Sequence, residues 1–131
     1  MNTTYFLNLV AGNIFQSKTE PAIPTTYYVG LSSTEPNIDG SNVTEPNGGG
    51  YVRVKLTGLS EPFDGVVQNA NDINMAESNA NWGVMTHYVI FDAETEGNLL
   101  MYGQLNPSRT IEEGTVMSVV SGTLKLSVVN V

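Results

Sequence analysis

The chain has 131 residues, 40% of them hydrophobic and only 14% charged, with a formal net charge of −8 and no cysteine. That length suits one domain with a core of its own, and a chain without cysteine has no disulfide framework, zinc–thiolate site or cysteine nucleophile. Its five cations, Lys18, Arg53, Lys55, Arg109 and Lys125, are too few and too scattered for the phosphate contacts of nucleic-acid binding or for an anionic membrane surface.

Residues 3–15 predict a helix. Phe6, Val10 and Ile14 recur at i, i+4 and i+8, with Leu7, Ala11 and Phe15 in the next row. Thr3 or Thr4 can cap the start. The segment Met1 to Phe15 lacks a basic n-region and is interrupted by Asn8, Gly12 and Asn13, so it is expected in the mature protein rather than in a signal peptide. No segment approaches the roughly 20 apolar residues of a membrane-spanning helix. Pro21 and Pro24 end the helical element, and residues 25–31 read as a strand from their β-branched and aromatic content. Residues 32–50 form a long loop punctuated by Pro36, Gly40, Pro46 and the run Gly48-Gly49-Gly50.

Residues 51–57 alternate. Val52, Val54 and Leu56 are expected on one face, and Tyr51, Arg53, Lys55 and Thr57 on the other. A loop around Pro62 follows, then short strand candidates at 66–67 and 73–75 broken by Asn69, Asn71 and Asp72. Residues 84–92 and 98–105 predict a hairpin that turns over Ala93 to Gly97, with Gly97 suited to positive φ. Residues 115–120 and 123–129 predict a second hairpin that turns at Ser121-Gly122. Strands this short, spaced this evenly, point to a mostly β, antiparallel β-sandwich or jelly-roll-like domain with a short N-terminal α-helix. The expected organisation is one domain over 1–131, a helical arm at about 3–15 on a β domain at about 22–131.

Residues that could carry chemistry each have a plainer explanation. His87 is the only histidine and sits in the most apolar strand, so it cannot form a multi-histidine metal site. Alternation puts it on a face with Met85, Val89 and Phe91 unless a bulge intervenes, and a backbone or Thr partner would satisfy it. Glu112 and Glu113 are adjacent, and Asp92, Glu94 and Glu96 surround a turn. Both groups read as solvated acids rather than a glycosidase pair or a calcium loop. The triple glycine is followed by Tyr51 and a strand, not by the Lys and helix of a phosphate loop. Thr34-Glu35-Pro36-Asn37 recurs as Thr44-Glu45-Pro46-Asn47, which is reused turn chemistry. Neither a catalytic, a cofactor-binding nor a metal-binding set emerges, and no cofactor is expected. The candidate oligomer interface is the helix stripe Phe6, Val10 and Ile14. The candidate surface contacts are the aromatics Trp82 and Tyr51.

Several segments are similar to a family of small phage proteins known as tail fibre proteins, from tailed viruses and prophages of Gram-positive bacteria. They are Tyr5 to Phe15, Tyr27 to Ser32, Gly48 to Val54, Trp82 to Ala93, Gly97 to Gly103 and Gly122 to Leu126. The resemblance lies in their succession, in order and at similar spacing. Asn74 to Glu77 departs from it. It implies a non-enzymatic structural protein on the surface of a tailed phage particle, either a tail-fibre or appendage subunit or a capsid decoration. Assembly would occur in the host cytoplasm, with other virion proteins as partners. A homo-oligomer, a trimer, is expected, because fibres and decorations commonly meet threefold sites. The alternative is a glycan-binding module that recognises the bacterial surface through Trp82, exposed tyrosines and the 32–50 loop.

Overall fold

The structure, a computed structural model, describes residues 1–128. It is mostly β and antiparallel, with a single short helix at the N-terminus. Helix α1 spans Thr4–Phe15. Thr3 caps it, the Oγ1 accepting from the Phe6 N–H at 3.3 Å. The same hydroxyl donates to the Leu99 carbonyl at 2.7 Å, so the cap also fastens the helix to the sheet.

The main sheet contains β1 (Tyr28–Ser32), β2 (Val54–Lys55), β5 (Gly83–Phe91) and β6 (Leu99–Ile111), in the order β2-β1-β5-β6. β5 and β6 form the expected hairpin, with Gly97 at φ 75° in its turn. The Asp92 carboxylate accepts from the Asn98 N–H at 2.7 Å and closes that turn. β6 runs on to Ile111, beyond the predicted end at residue 105. A register shift between Met85 and His87 lets it do so, with residues 105–108 looping out of the ladder. The shift also moves Met85 to the face opposite His87, which stays with Val89 and Phe91.

The predicted second hairpin does not form. β7 (Ser118–Val119) pairs with β4 (Ile73–Asn74), and β8 (Lys125–Ser127) pairs with β3 (Val66–Gln68). The turn at Ser121-Gly122 is present, the Thr123 N–H meeting the Val120 carbonyl at 3.1 Å, but the strands diverge from it. Asn69 is the reason. Fully buried, its amide donates to the carbonyls of Asn71, Val119 and Val120, and its Oδ1 accepts from the Leu124 N–H at 2.9 Å. The bend at 69–72 nests inside the bend at 120–124, and each bend sends one strand into each ribbon. Val129, expected at the end of the last strand, lies outside the described residues.

These two ribbons and α1 cover one face of the main sheet. Phe6 and Leu9 from the helix join Val29, Ile90 and Leu100 from the sheet, Ile73 from β4 and Leu126 from β8 in one apolar cluster. A second cluster, with Leu31, Met75, Trp82, Met85 and Met117, continues it toward the far end. The opposite face is also covered. Val89, Phe91, Leu99 and Tyr102 pack there, with Val43 of the 32–50 loop against them. That loop is held by its own polar bonds. Ser32 Oγ accepts from the Thr44 N–H at 3.0 Å, and the Thr34 and Thr44 hydroxyls of the repeated Thr-Glu-Pro-Asn segments meet at 2.9 Å.

Candidate functional site

Of the two residues expected to offer a surface, Trp82 is buried and Tyr51 is half-buried. Trp82 is 9% exposed, and its Nε1 donates to the Gly49 carbonyl at 2.8 Å. Gly49 sits at φ 65° between Gly48 and Gly50, also left-handed, and a Cβ on it would stand 2.9 Å from the indole nitrogen. The triple glycine therefore lets the loop turn tightly against Trp82. Tyr51 meets Trp82 edge-to-face, with ring centroids 5.4 Å apart. Its hydroxyl donates to Glu45 Oε2 and accepts from the Leu31 N–H. Trp82 is therefore not a stacking platform, and Tyr51 has its hydroxyl committed.

Arg53 completes this cluster. Its Nε donates to Glu45 Oε2 at 3.0 Å and its Nη2 to Oε1 at 2.6 Å, a two-pronged ion pair. Nη1 reaches the carbonyls of Ala93 and Glu96 in the β5–β6 turn. The guanidinium stacks 3.5 Å from the centre of the Phe91 ring. Gly30 lies beneath, and a Cβ there would strike the Tyr51 hydroxyl and crowd Glu45 and Arg53. The expected outward row of Tyr51 and Arg53 is thus turned onto the sheet, while Val52, expected inside, is 49% exposed. Only Val54–Lys55 of the predicted 51–57 strand pairs as β2. Burial raises the Tyr51 pKa well above its ordinary value, and the hydrogen bond to Glu45 and the charge of Glu45 push the same way.

The remaining candidates are dispersed. His87 Nδ1 lies 2.8 Å from Thr86 Oγ1, a Thr partner for the single imidazole. Glu112 and Glu113 are both exposed in the turn after β6. Asp92 serves its own turn. Among the described residues no three His, Asp or Glu side chains converge as a metal site would require.

Of the predicted interface stripe, Phe6 is 4% exposed and committed to the core, Val10 is half-buried, and Ile14 is 62% exposed. Leu9, outside that stripe, is buried instead, so the buried line runs along Phe6 and Leu9. What stays in water is the end of the helix, with Phe15 at 83%, and the tip of the 60–66 turn, with Phe63 at 79%. Sequence reasoning passed over Phe63, although a Phe between Pro62 and Asp64-Gly65 in a turn is a signal for an aromatic held away from the core.

The molecule so described is a tightly braced β scaffold with apolar side chains left at its surface. A protein-family model, the podophage GP4 fiber I protein gp80, matches residues 2–127. The chain belongs to this family. It is a phage fibre protein, a structural component of the virion that associates with other virion proteins. The tail-fibre resemblance of the sequence agrees with that assignment. Among curated proteins, none matches the fibre protein. No helix among its described residues is long and apolar enough to cross a membrane.

Proposed function

We propose that the fibre protein is a non-enzymatic structural subunit that assembles as a homo-oligomer, a trimer, in an appendage of the tail rather than as a capsid decoration. One observation carries this reading. Phe15, Phe63 and Ile14 are 83%, 79% and 62% exposed, although the same chain buries both faces of its main sheet. Large apolar side chains left in water are stabilised when a neighbouring subunit covers them. Quantitative mass spectrometry of purified particles tests the placement. A few to a few tens of copies, in a multiple of three, support the appendage. A number comparable to the major capsid protein would move the chain to the capsid surface.

A second reading is recognition of a host-surface glycan. Trp82 and Tyr51 do not support it, but a cleft of about 300 Å³ beside the looped-out residues of β6 does. Val119 and Leu124 give its lining an apolar part, and Tyr88, Gln104, Asn106 and Arg109 a polar one. An apolar lining with a few polar groups is the usual form of a small-ligand site. Particles with Arg109→Ala that assemble normally yet adsorb poorly to cells would support it. Unchanged adsorption would remove it.

A further inference from the structure

Phe15 and Phe63 are the two most exposed large apolar side chains among the described residues, and a cation stands beside the first and two anions beside the second. Lys18 stands beside Phe15, lining the same surface hollow, with its stem folded over Gly12. Glu61 and Asp64 flank Phe63, and both are exposed. None of these three charges has an ion-pair partner among the described residues, where the ion pair is that of Arg53 with Glu45.

The shapes are complementary as well. The 60–66 turn, closed by the Phe63 N–H on the Val66 carbonyl at 2.9 Å, forms the lip of an apolar groove of about 320 Å³. Phe6, Tyr27, Leu59, Val67 and Leu126 line it. Phe15 follows Phe6 by nine positions on α1. At 3.6 residues per turn, nine positions place it about half a turn round, away from the face on which Phe6 lines the groove. A chain therefore cannot fill its own groove with its own helix end, and one copy's knob and hole face different ways.

We infer that the contact between copies of this chain is head-to-tail, with Ile14 and Phe15 of one subunit seated in the groove beside Phe63 of the next. Lys18 of the first subunit meets Glu61 and Asp64 of the second. Contacts of this heterologous kind close into rings when the rotation permits, which agrees with a trimer. The apolar part supplies the affinity, and the charges set register and weaken with salt. The inference rests on the proposal that the fibre protein is a homo-oligomer, and deepens it by naming the two surfaces.

The test is sedimentation of the full chain at several concentrations, with circular dichroism of every variant. Phe15→Asp and Phe63→Asp are expected to keep the fold and to loosen association by about thirtyfold or more, the change that corresponds to losing an aromatic hot spot of about 2 kcal/mol. Lys18→Glu is expected to weaken association, and adding Asp64→Lys to it to restore much of the loss. Such a rescue cannot come from misfolding. An oligomer that survives Phe15→Asp and Phe63→Asp intact would overturn the inference and leave the oligomeric subunit standing. A wild-type chain that stays monomeric at every concentration would overturn both. Variants that assemble normally in solution but fail to enter particles would assign the patches to a different virion protein, and so would also overturn the inference.

Discussion

Arg53 is the residue on which most of the local order converges. Its side chain is 7% exposed and joins the 32–50 loop, through Glu45, to the β5–β6 turn, through Ala93 and Glu96. Removing one partner of a buried pair leaves the other charge without compensation. Arg53→Ala is expected to cost about 3 kcal/mol, read as a lowered midpoint in urea. Arg53→Lys should cost nearly as much, since an ammonium cannot reproduce the two-pronged contact or the stacking on Phe91. Tyr51 gives the cluster a pH dependence. An unfolded tyrosine ionises near pH 10, whereas burial, then the bond to Glu45 and its charge, keeps Tyr51 protonated to higher pH. Above about pH 10 the folded chain therefore binds more protons than the unfolded one, and stability falls as pH rises. Urea midpoints between pH 8 and pH 11 should show that fall, and Tyr51→Phe should make it shallower, the remainder coming from Tyr27, Tyr88 and Tyr102, which burial shifts the same way. The alternation read from the sequence holds for Val54 and Leu56, which face the core, and for the exposed Lys55 and Thr57, but not for Tyr51, Val52 and Arg53. Period-2 reasoning assumes one wet face, and at Tyr51 and Arg53 the 32–50 loop and the β5–β6 turn cover that face through Glu45, Ala93 and Glu96.

At the scale of elements, α1 and the β5–β6 hairpin were legible because each is specified by neighbours in sequence: the Thr3 cap, the apolar spacing, and the turn ending in Gly97. The ribbons were not. Residues 115–129 carry a hairpin's composition and its turn, yet β7 and β8 pair with β4 and β3, more than 40 positions away. Asn69 decides between the two arrangements by offering both donors and an acceptor inside the 120–124 bend. In sequence it reads as a strand breaker. Its substitution tests the point. Asn69→Ala leaves the buried Leu124 N–H without its acceptor and takes one donor from each of three carbonyls, of which Val120 keeps the Thr123 N–H; an unpaired buried group costs about 1–3 kcal/mol. The variant is expected to lose about 1–3 kcal/mol. By contrast, Asn71→Ala, at an exposed position whose backbone carbonyl makes the bond, should be nearly silent. Comparing the two by thermal melts separates the side-chain staple from the bend itself.

For the whole molecule, the apolar cluster that unites Phe6, Ile73, Ile90 and Leu126 draws on helix, ribbons and main sheet together. The expectation of one domain becomes a proposal with a direct test: one heat transition with equal calorimetric and van't Hoff enthalpies. Two transitions would mean that the ribbons melt apart from the main sheet. The helical arm packs on its own sheet through Phe6 and Leu9, and its exposed large apolar side chains, Ile14 and Phe15, lie in its last turn.

The sequence by itself determined the mostly β class, the short capped helix, the central hairpin, the poverty of cations and the succession of segments shared with fibre proteins. All of these rest on composition, on periodicity or on residues close together in the chain. The tertiary structure alone decided that Trp82 is interior and Tyr51 packs against it, that the Arg53 side chain is buried against Glu45 and Phe91, that two ribbons replace a hairpin, and that Phe15 and Phe63 are exposed. Each of these depends on which distant segment covers a given face. Local pattern ranks how much a side chain gains from burial, but the supply of covering surface is a property of the whole fold.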